Sequence, residues 1–476
     1  ILDRAMLNPM SEKEYSKDVF ERERQVKDDL SAATITKGKR PSVETSMHNV
    51  IDYPFVVHLH PTAVNGLLCA VNAESELKRL FGDKAIFVEY TDPGYVLFNK
   101  VNDKLEEYRS KHKEEAQVIW LQNHGIFVAA KTIEEIKSIY DEIIAKLEGA
   151  INEQLPTGDV DVPENVVEII PAIRMMLSDK ELKTLRIRNN KLISYFSESE
   201  ENQKDIIKPF TPDAIVYCKS NYIFLNGKDA GVILEESKKN IPEFTARFGY
   251  QPKVLLIKGI GLVAVGDNAK QCDILLDVYE DAMKVAYLST SYGGPHPMTD
   301  EQISFIDTWE VENYRRSVSA VKSAGRAENK TIIITGAAQG FGEGIGNCLI
   351  QEGANIVIAD LNEDKGKETA ESFMSISRSN SAIFVKTNVA DMNNLQNLVY
   401  KTVCEYGAID SFISNAGVLR AGGLEDMTPE NFDFVTKINY SAYFYGTKVV
   451  SKVMKLQTEY AHDEYFADII QINSKS

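Results

Sequence analysis

Residues 331–346 read TIIITGAAQGFGEGIG, and this stretch predicts the fold of the C-terminal part of the chain. Its first five residues are all β-branched, which is typical of a strand buried on both faces of a parallel sheet. A glycine-rich turn follows, and a helical stretch begins after it. This order forms a site for pyrophosphate, because glycine lets an anion approach the backbone and the helix dipole favours negative charge. The turn residues expected at the phosphates are Gly336, Gly340, Phe341 and Gly342.

The second apolar strand of this region, residues 355–359, ends in Asp360. An acidic side chain at this point hydrogen-bonds the ribose 2′-hydroxyl and repels a 2′-phosphate. The alternation of strands and helical segments after residue 330 is typical of a Rossmann-type, doubly wound parallel sheet. We therefore predict an NAD-binding domain at residues 331–476, with NAD preferred over NADP.

Several motifs of this domain resemble those of the short-chain dehydrogenase/reductase family. TGAAQGFG at 335–342 is similar to the family's TGxxxGxG pattern, and SNAG at 414–417 is similar to its NNAG motif. The stretch Ile472-Asn473-Ser474 is similar to the strand that carries the family's catalytic serine. The resemblance implies an oxidoreductase with a nicotinamide cofactor.

The resemblance also implies roles for individual residues. It implies cofactor contacts from Asn388, Val389, Asn415, Ala416 and Gly417, and catalytic roles for Asn439 and Ser474. The family's Tyr-x-x-x-Lys motif, which moves the proton, follows the serine, whereas this sequence stops at Ser476. We expect a fragment truncated at both ends, able to bind NAD but unable to transfer hydride without the missing motif.

The first third of the sequence contains a candidate metal site. His58 and His60 are two residues apart in the apolar stretch VVHLHP, and alternate residues of a strand point to the same face. His124 follows a second apolar run, just before Gly125. Three histidines with an open position are typical of a catalytic zinc site. Several divalent ions accept such a ligand set, so we expect a divalent metal, with Zn²⁺ as our first choice.

These residues resemble the class II aldolase/adducin family, in which a His-x-His pair and a later His-Gly turn bind the metal. Pro41-Ser42-Val43-Glu44 is similar to the family's Ser-Ser-Glu segment. The resemblance implies an α/β/α fold over residues 1–155, Glu44 as the catalytic acid/base and Ser42 as a contact for a substrate phosphate.

The middle region, residues 156–322, has a mixed α/β pattern and few candidate catalytic groups. Residues 118–128 can be laid over 254–264, and residues 60–64 over 211–215. In this overlay the metal histidines of the first region are replaced, so the middle region would be a degenerate repeat with a structural or interface role. A chance likeness of two α/β segments is the alternative. The polar stretch at 323–330 is the predicted linker to the last domain.

The composition restricts the partners and the compartment. The formal net charge is -17, which repels nucleic acid and anionic lipid, and no apolar run approaches the roughly 18 residues of a membrane span. The five cysteines are scattered and odd in number, which argues against a disulfide framework and favours a reducing cytoplasm. The aldolase resemblance also implies a homo-oligomer.

An aldolase domain fused to a short-chain dehydrogenase resembles the bifunctional aldolase/alcohol dehydrogenases of sugar catabolism. That resemblance implies cleavage of a ketose 1-phosphate, such as rhamnulose 1-phosphate, to dihydroxyacetone phosphate and lactaldehyde, with NAD-dependent oxidation of the aldehyde. Two alternatives stay open at this point: an epimerase acting on a pentulose phosphate, and a non-catalytic adducin-like domain joined to the dehydrogenase.

Overall fold

The computed structural model describes residues 1–179, 181–308, 325–377, 379–462 and 464–473, which form two compact units. Both units are discontinuous along the chain, so the predicted domain boundaries stay predictions. The described residues of the first unit fall within Ile1–Leu155, Asp205–Ile215 and Asp281–Trp309. Those of the second unit fall within Pro156–Lys204, Val216–Glu280 and Glu310–Ser476.

The first unit is built on a four-stranded sheet. Its strands are β1 (Phe55–Leu59), β2 (Ile86–Val88), β3 (Val118–Leu121) and β4 (Gly125–Ala130). The order across the sheet is β1-β4-β3-β2, with β4 antiparallel to both neighbours and β2 parallel to β3. The helices before and around it are α1 (Arg4–Leu7), α2 (Val19–Ala32), α3 (Thr45–Val50), α4 (Thr62–Leu68), α5 (Ala73–Phe81), α6 (Tyr95–His112) and α7 (Ile133–Ala150).

Two hydrophobic clusters cover this sheet, as expected for a sheet between helical layers. One cluster joins Phe127 of β4 to Phe98 of α6, and the other joins Trp120 of β3 to Leu147 of α7. Every residue of β4 is buried, which identifies it as a central strand. The turn that enters β4 is therefore held rigidly from both sides.

A second four-stranded sheet lies in the second unit. Its strands are β5 (Thr184–Arg188), β6 (Ile223–Leu225), β7 (Val254–Ile257) and β8 (Gly261–Gly266). The order β5-β8-β7-β6 and the strand directions match those of the first sheet. The helices that follow α7 are α8 (Ile170–Leu177), α9 (Lys191–Ser197), α10 (Glu200–Gln203), α11 (Pro212–Cys218), α12 (Ala230–Phe248), α13 (Ala269–Ser289) and α14 (Asp300–Thr308).

The strand register corrects one part of the sequence overlay. His58 pairs with Phe127 across β1 and β4, and Ile187 pairs with Val263 across β5 and β8. If 118–128 is matched to 254–264, these two pairs are equivalent, and His60 then corresponds to Asn189. The overlay of residues 60–64 on 211–215 was therefore wrong, because it matched similar letters and ignored the strand pairing.

The third sheet is parallel throughout and also lies in the second unit. Its strands are β9 (Thr331–Thr335), β10 (Asn355–Asp360), β11 (Ala382–Lys386), β12 (Ser411–Ser414) and β13 (Asp468–Gln471), in the order β11-β10-β9-β12-β13. Its helices are α15 (Gly340–Gln351), α16 (Glu363–Ile376), α17 (Met392–Tyr406), α18 (Pro429–Thr436) and α19 (Ala442–Tyr460). The predicted α/β fold class, with a Rossmann-type doubly wound parallel sheet in the C-terminal region, is confirmed.

The middle and C-terminal parts of the second unit share one core. A single hydrophobic cluster contains Ile173 and Leu255 from the middle region and Phe412 and Val453 from the C-terminal region. Arg174 forms a fully buried ion pair of 2.8 Å with Asp410. Removing one partner of such a pair costs about 3–5 kcal/mol because the other charge is left buried and unpaired, so the two parts depend on each other's side chains at this point.

None of the helices in the described ranges combines the length and the hydropathy that a bilayer crossing would need. All five cysteines are free, and three of them are buried. Cys348 is exposed.

Candidate metal and nucleotide sites

The three predicted metal histidines come together at one end of the first sheet. His58 lies on β1, and His124 lies in the turn that leads into the neighbouring strand β4. His58 Nε2 is 3.0 Å from His60 Nε2 and 3.3 Å from His124 Nε2. Strand pairing thus brings together side chains that are 66 residues apart in sequence.

Glu44 joins the histidines from the start of α3. Its Oε1 is 3.2 Å from His124 Nε2 and 3.5 Å from His58 Nε2, and the four ligand atoms all lie within 4.8 Å of one another. The Glu44 amide donates a 3.2 Å hydrogen bond to the Ser42 hydroxyl, which orients the backbone at this point. The predicted contact between Ser42 and a phosphate stays a prediction.

The hydrogen bonds of the ring nitrogens show that this cluster fits a cation. His58 Nδ1 lies 3.0 Å from the Ile126 carbonyl oxygen, and His60 Nδ1 lies 2.8 Å from Asp213 Oδ2. Both partners only accept, so each Nδ1 carries the proton and each Nε2 is left with a lone pair. Two lone pairs 3.0 Å apart repel each other unless a cation lies between them. Tetrahedral zinc with bonds of about 2.0–2.1 Å spaces its ligands by about 3.3 Å, which is close to the separations found here.

Burial and the neighbouring groups set the charge of the cluster. Burial alone would raise the pKa of Glu44, but the neighbouring imidazoles of His124 and His58 outweigh it and lower that pKa well below its ordinary value. Burial lowers the pKa of His124, helped by His60 and opposed by Glu44. An ionised carboxylate and a neutral imidazole are the forms that bind a metal.

Two residues of this region were not predicted from the sequence. Asp213 contacts His60 across a separation of 153 residues, and no local spacing pattern in the sequence indicates this contact. Asn123, directly before His124, adopts a left-handed conformation (φ 54°) and is 1% exposed. The sequence did carry a signal for Asn123, because asparagine is favoured at left-handed turn positions.

The predicted phosphate turn has the backbone geometry that it needs. Gly336 and Gly340 have φ angles of 64° and 66°, a region that favours glycine. At Gly342 a Cβ would lie 2.6 Å from Asn415 Nδ2 and closer still to the Gly336 carbonyl oxygen. Phe341 is 85% exposed at the start of α15. The turn is therefore tight, and its outer surface is accessible.

The predicted SNAG segment supports this turn from the end of β12. Asn415 Nδ2 donates hydrogen bonds of 3.0 and 3.1 Å to the carbonyl oxygens of Thr335 and Gly336. The Ala416 amide donates to the Thr335 hydroxyl at 3.0 Å, and Gly417 follows directly. Asn415 and Ala416 therefore hydrogen-bond to Thr335 and Gly336, and these bonds help to fix the shape of the glycine turn.

Asp360 and Asn388 lie at the ends of β10 and β11, respectively. Asp360 Oδ2 accepts a 3.1 Å hydrogen bond from the Ala338 amide of the glycine turn, which places the carboxylate beside the turn. Asn388 Oδ1 accepts from the Ala390 amide at 3.0 Å, and Val389 between them is half-buried. The roles of these residues toward a cofactor stay predictions.

Asn439 lies in a π-helical turn, Lys437–Ser441. Its amide side chain donates to the Val418 carbonyl oxygen and accepts from the Val418 amide, both at 2.8 Å. Asn439 thus fixes the loop that follows β12. Ser474, the other predicted catalytic residue of this domain, lies outside the described residues. Both catalytic roles stay predictions.

Known protein families match three parts of the chain. Residues 8–145 match the class II aldolase and adducin N-terminal domain, residues 235–315 match the second domain of class II aldolases, and residues 330–476 match the short chain dehydrogenase family. The chain therefore carries a class II aldolase domain fused to a short-chain dehydrogenase domain.

Curated relatives agree with this domain composition. An uncharacterized oxidoreductase, YuxG of Bacillus subtilis, is 22% identical over 89% of this chain and 65% of that protein. The oxidoreductase UcpA of Salmonella typhimurium is 36% identical over 26% of this chain and 47% of that protein. Trans-4-hydroxycyclohexanecarboxylate dehydrogenase of Sinomonas cyclohexanicum is 33% identical over 27% of this chain and 52% of that protein. The chain thus spans about half to two thirds of the length of these relatives.

These matches support an enzyme with a lyase domain and an oxidoreductase domain. The short-chain dehydrogenase domain implies a nicotinamide cofactor, and the class II aldolase domain implies a divalent metal.

Proposed function

We propose that this protein cleaves a ketose 1-phosphate by a metal-dependent retro-aldol reaction and, in a form that contains the Tyr-x-x-x-Lys motif, oxidises the released aldehyde with NAD. The convergence of Glu44, His58, His60 and His124 within 4.8 Å carries the first half of the proposal. Rhamnulose 1-phosphate is our choice of substrate, with dihydroxyacetone phosphate and lactaldehyde as products. We further expect a cytoplasmic homo-oligomer with Zn²⁺ as the metal.

A divalent metal at this cluster would supply Lewis-acid stabilisation of the negative charge that develops on the substrate. The imidazoles of His58, His60 and His124 hold it. When the carbon–carbon bond breaks, its electron pair remains on the dihydroxyacetone phosphate half, and the Glu44 carboxylate accepts the hydroxyl proton of the other half as the aldehyde forms. Glu44, at the edge of the same cluster, is placed to return a proton to the enediolate carbon.

The second half of the proposal depends on the glycine turn. Gly336, Gly340 and Gly342 leave room for the pyrophosphate at the start of α15, and Asp360 beside them selects NAD over NADP. Covalent fusion raises the effective concentration of the aldehyde near the dehydrogenase domain, which limits the escape of a reactive product.

The aldolase proposal is tested with the 476-residue protein, loaded with Zn²⁺ and supplied with rhamnulose 1-phosphate. We expect equal amounts of dihydroxyacetone phosphate and lactaldehyde, and loss of both after treatment with a chelator. A product that is only an epimer of the substrate would show an epimerase. Absence of bound metal would instead favour the non-catalytic adducin-like alternative.

The cofactor proposal is tested by measuring NAD and NADP affinity calorimetrically. The variant Gly342→Ala places a methyl group against Gly336 and Asn415. Because this overpacking displaces the backbone of the turn, we expect NAD binding to weaken about tenfold or more. Gly344→Ala is the matched control, since its Cβ would meet nothing within 4 Å. Equal NAD affinity in both variants would contradict the assignment of the turn.

A further inference from the structure

A short segment of the middle region, residues 205–215, belongs to the first unit. It lies outside residues 8–145, which match the class II aldolase domain. In sequence it stands between two pieces of the second unit. Its contacts in the first unit therefore need an explanation other than the aldolase fold itself.

The turn that carries His124 holds this segment in place. Asn123 Nδ2 donates hydrogen bonds of 2.9 Å to the Phe210 carbonyl oxygen and 2.8 Å to the His296 carbonyl oxygen. The Met298 amide donates to the Pro209 carbonyl oxygen at 2.9 Å. The segment is thus anchored to the residue next to a metal histidine, through a side chain that is almost completely buried.

Three residues after Phe210, Asp213 reaches His60. Its Oδ2 lies 2.8 Å from His60 Nδ1, on the side of the ring that faces away from His58. The side chains of His60 and Asp213 are 30% and 34% exposed, whereas that of His58 is 6% exposed. His60 is therefore more accessible than His58, and less packing fixes the orientation of its ring.

His58 and His60 are oriented by different hydrogen-bond acceptors. His58 Nδ1 donates to a backbone carbonyl oxygen, and His60 Nδ1 donates to a carboxylate. A carboxylate partner fixes the tautomer, orients the ring and makes the other nitrogen a stronger ligand. We propose that Asp213 is a positioning residue, which holds His60 Nε2 toward the metal and raises its affinity. This inference rests on the metal site of the proposed function and assigns Asp213 no contact with the substrate.

The test measures Zn²⁺ affinity by competition with a chelator, using the 476-residue protein. We expect Asp213→Ala to weaken Zn²⁺ binding about 10- to 100-fold, as for other partners of metal-bound histidines. Asp213→Asn keeps the shape and one acceptor oxygen, so its loss is smaller. Asp300→Asn is the matched control, because Asp300 pairs with Lys208 of the same segment at 2.8 Å, its side chain is 81% exposed, and it is not one of the four clustered ligand residues. That variant keeps the wild-type affinity.

A second measurement separates positioning from a general loss of structure. The absorption spectrum of the Co²⁺-loaded protein reports ligand geometry, and we expect it to change in both Asp213 variants but not in Asp300→Asn. Wild-type Zn²⁺ affinity and an unchanged Co²⁺ spectrum in Asp213→Ala, with binding lost in His60→Ala, would overturn this inference and leave the metal site intact. If His60→Ala binds as tightly as the wild type, the proposed function fails as well.

Discussion

The two four-stranded sheets have the same strand order and directions, but among the described residues only the first holds a cluster of metal-binding side chains. When the sheets are matched by strand register, His124 corresponds to Ile260 and His60 to Asn189. The second sheet forms without the histidines, so the strands and their turn do not depend on a metal. The same strand arrangement thus occurs with and without the histidine cluster, which illustrates that function is carried by sites and not by folds.

The likeness of the two sheets extends to the turn itself. Asn123 and Gly259 have positive φ angles of 54° and 76° at equivalent positions. A Cβ on Gly125 would lie 2.7 Å from the Leu59 carbonyl oxygen, and one on Gly261 would lie 2.7 Å from the Arg188 carbonyl oxygen. The close approach of the two strands therefore requires glycine in both sheets, whether or not a histidine precedes it.

The strongest test exchanges equivalent residues of the two turns for alanine. His124→Ala removes a metal ligand, so we expect Zn²⁺ affinity to fall by more than the ~100-fold that outer partners contribute, and cleavage to be abolished. Ile260→Ala leaves metal binding unchanged but creates a cavity, with a loss of about 2–5 kcal/mol in the free energy of unfolding. Zn²⁺ titration and urea unfolding measure both effects. Metal loss in Ile260→Ala would break the comparison.

Glu44 allows chemistry to be separated from metal binding. In Glu44→Gln the three histidines are intact, so most of the metal affinity is retained. Since the amide cannot move a proton, we expect kcat for cleavage to fall about 10²- to 10⁴-fold. The measurement is steady-state cleavage at saturating Zn²⁺, together with the metal content of the purified variant. A variant with full metal and near wild-type kcat would remove Glu44 from the mechanism.

The paired glycines give a smaller effect. Gly125→Ala pushes a methyl group against Leu59 and the His60 ring, and overpacking of this kind costs about 1–3 kcal/mol. Because His60 is displaced, we expect Zn²⁺ binding to weaken as well. Gly261→Ala meets Arg188 in the same way and also forces alanine into a φ of 114°, so we expect a larger loss of stability but no effect on the metal. If both variants bind Zn²⁺ equally well, the contact between Gly125 and His60 has no role in the site.

The smallest effects are expected at the left-handed positions. Gly259→Ala meets no steric obstacle, so its cost is the left-handed conformation alone, about 1–2 kcal/mol. Asn123→Gly keeps the conformation but loses the bonds to Phe210 and His296, and unsatisfied buried acceptors cost about 1–3 kcal/mol. Thermal unfolding measures both. A second substitution elsewhere in residues 205–215 is not expected to restore the stability that Asn123→Gly loses.

The sequence predicted those parts of the molecule whose signals are local. The strand, glycine turn and helix at 331–346 form as expected, because three neighbouring elements are enough to specify the turn. His58 lies on β1 and His60 lies directly after its last residue, and their spacing of two places both side chains on the same face. The pairing of that strand with β4 was not visible in the sequence. The family resemblance identified His124 as the third candidate ligand without reference to that pairing.

The remaining features depend on contacts between distant residues. Asp213 has no motif of its own, and similar letters led to its neighbour Thr211 being matched with His60. The support that Asn415 gives to Gly336 and the bond between Asn439 and Val418 follow from how loops pack, and a single sequence carries no record of that packing. Spacing patterns identify candidate ligands, but they do not identify the residues that orient them.

The discontinuous first unit has a consequence for how the protein is made. Asn123 and His296 are 173 residues apart, and at synthesis rates of about 5–20 residues per second the second residue follows the first by roughly 9–35 s. During that interval the nascent chain contains His58, His60 and His124 but lacks the carbonyl oxygen of His296. For part of the interval it also lacks Asp213. Under the proposed function, tight binding of the metal is thus postponed until the chain has been synthesised beyond residue 296.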